Sequence, residues 1–187
     1  MMKRTLFTLA FMAAMVVSAQ TNWKSDKAHS KVGFAINHMM IAEVEGRFND
    51  FEVTATATEE FKDASFAVTI KTGSIDTGVE GRDNHLRSAD FFDAEKNPEI
   101  TFKSTAYEQT GVNAFKLTSE LSMHGQTKAV TLDGRVNGVI TDQRSKKLKA
   151  GLKLTGSVNR LDFGIGSDSP GIGKEVRFTI HLEMAQQ

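Results

Sequence analysis

The sequence predicts an all-β protein, an eight-stranded antiparallel barrel with one short helix. Apolar and polar residues alternate in segment after segment from residue 31 onward, which is the pattern of strands with one buried face. Fifteen glycines beside two prolines indicate many tight turns, and 187 residues suit one domain of ordinary size. Closing the sheet into a barrel would bury the apolar faces together and remove the exposed edges. A sandwich of two sheets fits the same alternation and remains the alternative.

Residues 1–19 have the order of a secretory signal peptide. Lys3 and Arg4 form a positive start, residues 6–17 form an apolar run, and residues 17–19 provide a small-residue cleavage site. The apolar run is shorter than the roughly 20 residues that a membrane-spanning helix needs, so cleavage is favoured over anchoring. We therefore expect an exported, periplasmic protein without stable membrane insertion, whose barrel domain covers residues 22–187.

The strands follow in order along this domain. Two weaker segments, 43–57 and 99–107, accompany six segments that alternate clearly. The clear segments are residues 31–38, 66–71, 115–123, 130–141, 148–158 and 176–184. In the first weak segment the apolar residues change from even-numbered to odd-numbered positions between Phe48 and Phe51. This change predicts a bulge or bend near Asn49 and Asp50.

Residues 78–98 interrupt the alternation with a polar, aperiodic stretch. Asp83 could cap a short helix over about residues 84–89, and Pro98 closes the excursion before the next strand. The excursion contains the densest polar cluster of the chain, and Asp83 with His85 could form a general acid–base pair. We favour a structural role, in which these charges hold the excursion to the rim of the barrel through caps and ion pairs.

Composition and charge exclude several classes of protein. The chain has 23 basic and 23 acidic residues, whereas a general nucleic-acid binder needs a basic excess. The absence of cysteine excludes disulfides, thiolate metal sites and a cysteine nucleophile. The five histidines form no H-E-x-x-H or H-x-H motif, so we expect neither a metal nor a cofactor. His38 falls on the inward side of its strand, where we expect a hydrogen-bonded core histidine or, alternatively, a polar residue inside a pocket.

The inward faces are rich in phenylalanine, and the residues alone leave two interpretations open. The rings could fill a solid core, since side chains alone can fill an eight-stranded barrel. They could instead line a cavity for an apolar ligand. Phe91 and Phe92 lie inside the polar excursion, where adjacent rings could cover the mouth of a barrel.

Several segments resemble the YceI family of secreted, lipocalin-like barrels that bind polyisoprenoids. The resemblance covers residues 23–184 in long, ordered motifs. They include V-x-F-x-I-x-H-M (32–39), S-I-D-T-G (74–78), R-D-x-H-L-R-S (82–88), F-F-D (91–93), L-S-M-H-G-Q-T-K (121–128) and N-R-x-D-F-G (159–164). One departure is the methionine-rich stretch 37–42, where Met39 and Met40 could adapt the wall of a pocket to a different ligand.

The resemblance implies a barrel that binds a long isoprenoid chain, such as a quinone tail or a polyprenyl lipid, and acts as a carrier without catalytic residues. The inward positions then form the expected ligand site, with Asp76, Arg82, Asp83 and His85 positioning a lid. The expected ligand-binding residues are Phe34, Ile36, Phe66, Val68, Ile70, Leu86, Phe91, Phe92, Phe102, Phe115, Leu117, Leu121, Leu152 and Leu154. Two alternatives stay open: an enzyme using Asp83, His85 and His38 on an isoprenoid or quinone head group, and a ligand-free, stress-related structural barrel. A homodimer is also compatible with the sequence.

Overall fold

The computed structural model describes residues 19–187 as a closed antiparallel β-barrel. The leader up to Ser18 lies outside the described residues, so its cleavage stays a prediction. The strands are β1 (Thr21–Ser25), β2 (Lys31–His38), β3 (Ala42–Phe48), β4 (Phe51–Ala57), β5 (Ala64–Lys71), β6 (Ile75–Asp76), β7 (Glu99–Gln109), β8 (Ala114–Met123), β9 (Gln126–Thr141), β10 (Leu148–Asn159) and β11 (Ile172–Gln186). The helix α1 (Glu80–Arg87) lies between β6 and β7. No helix in the described part of the chain has the length and apolar character to cross a membrane.

Eight strands close the ring in the order β1-β4-β5-β7-β8-β9-β10-β11, and β11 returns to pair with β1. Because the sheet closes on itself, the fold is a barrel and not a sandwich of two sheets. The long strand β11 pairs with β1 near its C-terminal end and with β2 over residues 172–181. Beyond the closed ring, β2 pairs with β11, β3 pairs with β2, and β6 pairs with β3.

The sequence pattern located most strands well. The predicted bend near Asn49 and Asp50 is confirmed, because the weak segment 43–57 is divided there into β3 and β4. The pattern missed β1 and β6, which have five and two residues and are too short for a clear alternation.

The helix begins earlier than predicted, and its proposed cap is wrong. Helix α1 spans Glu80–Arg87, Val79 occupies the N-cap position, and no side chain caps the helix there. Asp83 lies inside the helix, where its carboxylate accepts hydrogen bonds from Thr77 in the preceding turn. The aspartate therefore links the helix to the end of β6 and does not start it.

Large rings fill one end of the barrel, which we call the closed end. The ring of Trp23 packs on Phe61 at a centroid distance of 4.7 Å, and the ring of Phe61 packs on Phe66 at a centroid distance of 6.3 Å. Tyr107 stacks on Phe115 at 4.8 Å, and its hydroxyl donates to the Phe61 carbonyl. Burial raises the pKa of Tyr107 to about 12. The opposite end, beneath α1 and the β2–β3 hairpin, is the mouth.

Candidate functional site

A cavity of about 320 Å³ occupies the mouth half of the barrel interior. This volume lies at the lower end of the range of small-molecule pockets. Its lining is mostly apolar and comes from the barrel strands, the lid and the segment that follows β10. The apolar lining residues are Val32, Phe34, Ile36, Val44, Phe48, Ile75, Leu86, Phe91, Phe92, Ile100, Leu121, Met123, Val158, Ile165, Ile172, Val176 and Phe178.

A second cavity of about 70 Å³ lies deeper, toward the closed end. Val32, Leu121 and Phe178 line both cavities, so these three side chains lie between them. The lining of the small cavity is entirely apolar.

The expected ligand-binding residues divide into three groups. Phe34, Ile36, Leu86, Phe91, Phe92 and Leu121 line the large cavity. Phe66, Val68, Phe102, Leu117 and Leu154 line the small one together with Leu121. Ile70, Phe115 and Leu152 line neither cavity and belong to the packed core. The interior is thus partly solid and partly hollow, so each of the two interpretations of the phenylalanine-rich faces describes one part of it.

Residues 80–97, which follow β6 and include α1, form a lid over the mouth. Phe92 meets Phe48 edge-on at 6.1 Å, and Phe91 meets the His85 ring edge-on at 5.0 Å. Gly166 lies directly under Phe91 with a φ of +67°, and an added Cβ there would lie 2.8 Å from Phe91 Cε1. Only glycine permits this contact without displacement, and it brings the lid onto the loop that precedes β11.

Hydrogen bonds attach the lid to β6. The Asp83 carboxylate is buried and accepts from the Thr77 backbone N–H at 2.9 Å and from the Thr77 hydroxyl at 2.5 Å. Arg82 donates from Nε to Thr77 Oγ1 at 2.7 Å and from Nη2 to the Thr77 carbonyl at 2.9 Å. Arg87 donates to the carbonyls of Gly73 and Ile75, both at 2.8 Å.

Asp76 holds β6 against β3. Its carboxylate accepts from Asn49 Nδ2 at 3.1 Å, from the Gly78 backbone N–H at 2.9 Å and from Arg47 Nη2 at 3.0 Å. These bonds, from Asn49 first and then from Gly78 and Arg47, keep the pKa of Asp76 below its usual value. The four expected lid-positioning residues are therefore all near the lid, although their effect on ligand exchange stays a prediction.

The groups considered for acid–base chemistry have other partners. Asp83 bonds to Thr77, while His85 Nε2 lies 3.1 Å from the carboxylate of Asp90. His38 is exposed and lies at the rim of the large cavity, so the expectation of a core histidine is wrong. The three residues of the enzymatic alternative therefore do not make the mutual hydrogen bonds that activate a nucleophile or a base.

Sequence reasoning missed one charged residue of the cavity wall. Arg160 is 3% exposed and donates to the carbonyls of Gly173, Ile165, Ser167 and Ile172 at 2.7–3.3 Å. Burial lowers the pKa of its guanidinium below the usual value. The N-R-x-D-F-G motif contained this arginine, but backbone carbonyl partners leave no trace in the residue types.

The polar part of the lining is uncharged or basic. It consists of Asn37, His38, Thr77, Arg82, His85 and Arg160, and contains no carboxylate. An apolar chain can occupy such a space, and its polar end would meet hydrogen-bond donors. Within residues 19–187, one set of potential metal ligands comes together, Asp26, His29 and Glu183. It involves none of the residues that line the cavity, and an acidic surface group alone is not evidence of a metal.

Comparisons with known proteins place the chain in context. A family model described as a YceI-like domain matches residues 23–184. A relative named Protein YceI from Salmonella newport is 35% identical over 184 residues, which cover 98% of this chain and 95% of the relative.

Solved structures give the same result. A Campylobacter jejuni YceI protein is 33% identical with a TM-score of 0.75, and the match covers 87% of this chain and 96% of that one. Burkholderia cenocepacia BcnA is 25% identical with a TM-score of 0.77, covering 85% and 98%. A polyisoprenoid-binding domain from Saccharophagus degradans, implicated in plant cell wall breakdown, has a TM-score of 0.68 at 12% identity, covering 88% and 98%. The last likeness concerns the fold alone.

Proposed function

Because the chain belongs to the YceI family, we propose that it binds a long-chain polyisoprenoid lipid in the barrel and carries it through the periplasm. The ligand would be an isoprenoid quinone or a polyprenyl lipid, with its tail along the barrel axis. The observation that supports this most directly is the apolar cavity of about 320 Å³, with the smaller apolar cavity of about 70 Å³ beneath it. The Saccharophagus degradans domain, which shares the fold, is named for polyisoprenoid binding.

The chemistry of the lining suits this ligand class. Each methylene transferred from water to an apolar site contributes about 0.8 kcal/mol, so ten buried carbons contribute about 8 kcal/mol before the costs of ordering. The deep cavity offers no polar group, and the polar residues of the large cavity lie at the lid, the rim and the loop before β11. This distribution favours a ligand with a long apolar part and one polar end near the mouth.

The two alternatives have less support. An enzyme acting on the head group would need Asp83, His85 and His38 to cooperate, but the first two bond to other residues and the third lies exposed at the rim. A ligand-free structural barrel would be more stable with a filled interior, because cavities cost packing energy. The cavity beneath a lid is better explained as a binding site.

The test is to purify the exported protein from its native host, extract it with organic solvent and identify any lipid by mass spectrometry. Val176 lines the large cavity, and Val176→Trp would place an indole in the space for the ligand. Val112 is exposed at the far end of the β7–β8 hairpin, so Val112→Trp is the matched control.

We expect co-purifying lipid with the wild type and the control, and at least a tenfold lower lipid content with Val176→Trp. An extract without lipid, together with no rise in melting temperature on adding quinones or polyprenols, would contradict the proposal. Fractionation of the host and the intact mass of the purified protein test export and cleavage of the leader.

A further inference from the structure

The β2–β3 hairpin exposes three consecutive apolar side chains, Met39, Met40 and Ile41, which we call the hairpin tip. Met39 is 56% exposed, and Met40 and Ile41 are each 89% exposed. The tip does not line either interior cavity, so the expectation that Met39 and Met40 adapt a pocket wall is wrong. These side chains must have another reason to be apolar, since exposed apolar groups in a row are unfavourable in water.

The backbone conformation of the tip disfavours the methionines that occupy it. Met39 and Met40 have φ angles of +54° and +59°, and the Ile41 N–H donates to the His38 carbonyl at 3.2 Å. Two central residues with positive φ are typical of a type I′ turn, which strongly favours Asn-Gly. Methionine adopts this conformation at an energetic cost. The turn itself therefore does not explain the two methionines.

The tip lies beside the entrance to the large cavity. Asn37 and His38, which line that cavity, directly precede it in the chain. The Met39 N–H donates to the Gly171 carbonyl at 3.0 Å, which fixes the hairpin to the loop before β11. Val79, which is also exposed, directly precedes the helix of the lid. Exposed apolar groups thus accompany two of the segments that surround the mouth.

The size of the tip and its lack of charge favour a lipid bilayer over a protein as its partner. Residues 37–42 contain no Asp, Glu, Lys or Arg, and the adjacent Glu43 is paired with Arg177. Aromatic side chains bury about 150–250 Å² each, so three smaller ones offer only a few hundred Å². A stable protein interface needs about 800 Å² from each partner. A small, uncharged, projecting apolar group instead suits shallow insertion into the boundary between head groups and acyl chains.

We propose that the hairpin tip inserts into a phospholipid bilayer and docks the mouth of the barrel on the membrane surface. The lipid ligand then enters the cavity from the bilayer without crossing water. This inference rests on the proposed lipid-binding function for its purpose, but the docking itself is tested separately.

The experiment uses the purified mature protein and vesicles of phosphatidylethanolamine and phosphatidylglycerol in a flotation assay. The test variant is Met40→Asn with Ile41→Ser, which suits the positive φ at residue 40 better than methionine does. The control is Val112→Ser, which removes an equally exposed apolar side chain from a hairpin at the closed end. A second assay loads quinone or polyprenol from dilute ethanol solution in the absence of vesicles.

We expect the wild type and the control to bind vesicles, and the double variant to partition more weakly by about tenfold for each side chain removed. Binding should persist at high salt, because apolar insertion is not screened. Loading from solution should be equal for all three proteins. Equal vesicle binding by the double variant, or binding that high salt abolishes, would overturn the docking.

Failure of docking and failure of the proposed function give different results. A wild type that loads lipid from solution but ignores vesicles refutes the docking and leaves the function standing. A wild type that binds vesicles through the tip but never loads lipid refutes the function and supports the docking. A dimer that depends on the tip, found without vesicle binding, would replace the bilayer by a second copy of the chain.

Discussion

Replacing Asp83 by alanine tests how the lid is held over the mouth. Asp83 is 6% exposed, and both hydrogen bonds to its carboxylate come from Thr77 at the end of β6. Asp83→Ala removes Oδ1, the one oxygen that accepts both bonds, and leaves the Thr77 N–H and hydroxyl without this partner. Alanine is a good helix former, so α1 itself should persist in the variant.

The size of the effect follows from these two bonds. A hydrogen bond to a charged group contributes about 1.5–3 kcal/mol. Thr77 is only half-buried, so water partly replaces the lost acceptor and the total loss of stability is about 2 kcal/mol. For a domain of this size, that loss lowers the melting temperature by about 4–8 °C. If the lid moves when the bonds are lost, ligand release becomes faster by up to about 30-fold.

Two measurements decide the outcome. Urea unfolding and calorimetry give the stability, and stopped-flow transfer of a fluorescent polyene lipid to acceptor vesicles gives the release rate. Asp90→Ala is the control, because Asp90 is exposed and its carboxylate bonds only to the His85 ring among the described residues. The bond from its backbone N–H to Ser88 Oγ does not need the carboxylate. Unchanged urea midpoint and release rate in Asp83→Ala would refute the assigned role. A lower midpoint with an unchanged release rate would confine Asp83 to the stability of the fold.

Two further predictions concern packing and pH. Gly134→Ala should destabilise the barrel by about 1–3 kcal/mol in urea unfolding, because the new Cβ would lie 2.2 Å from the Phe115 ring. Gly138→Ala on the same strand has no atom within 4 Å of its Cβ and should be neutral, and equal losses would contradict this explanation. The lowered pKa of Asp76 means that its contribution to stability is present above its unfolded value of 3.8 and is lost as pH falls through the folded value. Asp76→Asn should therefore be less stable than the wild type at neutral pH and converge with it in acid, whereas parallel stability curves would refute this role.

The strands were predictable because the barrel imposes one constraint on all of them. A strand such as β10 has an apolar interior face and a polar exterior face, and this alternation is written in the sequence. Short elements escape this signal: β6 has two residues and is defined by its pairing with β3, which lies far away in the chain. The start of α1 was misplaced because local sequence alone does not determine whether Asp83 accepts from its own helix or from Thr77.

The alternation of apolar and polar residues does not predict which part of the interior is packed core and which part is cavity. Phe34 and Phe115 both lie on inward positions, and each is paired with a glycine on the neighbouring strand, Gly46 and Gly134. An added Cβ at either glycine would collide with the ring, so both rings pack over their glycines. Phe115 is buried in the core, whereas Phe34 lines the large cavity. Whether a ring is packed or borders a cavity depends on the side chains that reach it from all the other strands of the barrel, and the pattern of a single strand does not contain this information.

The polar contacts of the lid explain why its position should depend on Asp83. In the described residues, the hydrogen bonds between the side chains of Arg82, Asp83 and Arg87 and residues outside the helix all involve residues 73–77. No hydrogen bond of the described chain joins residues 80–97 to the loop 164–171, whose Ile165 and Ser167 carbonyls accept hydrogen bonds from Arg160. The opposite edge of the lid meets that loop through the contact of Phe91 with Gly166. Apolar contact is less directional than a hydrogen bond, so we expect the edge at the loop to open when the hydrogen bonds on the β6 side are lost.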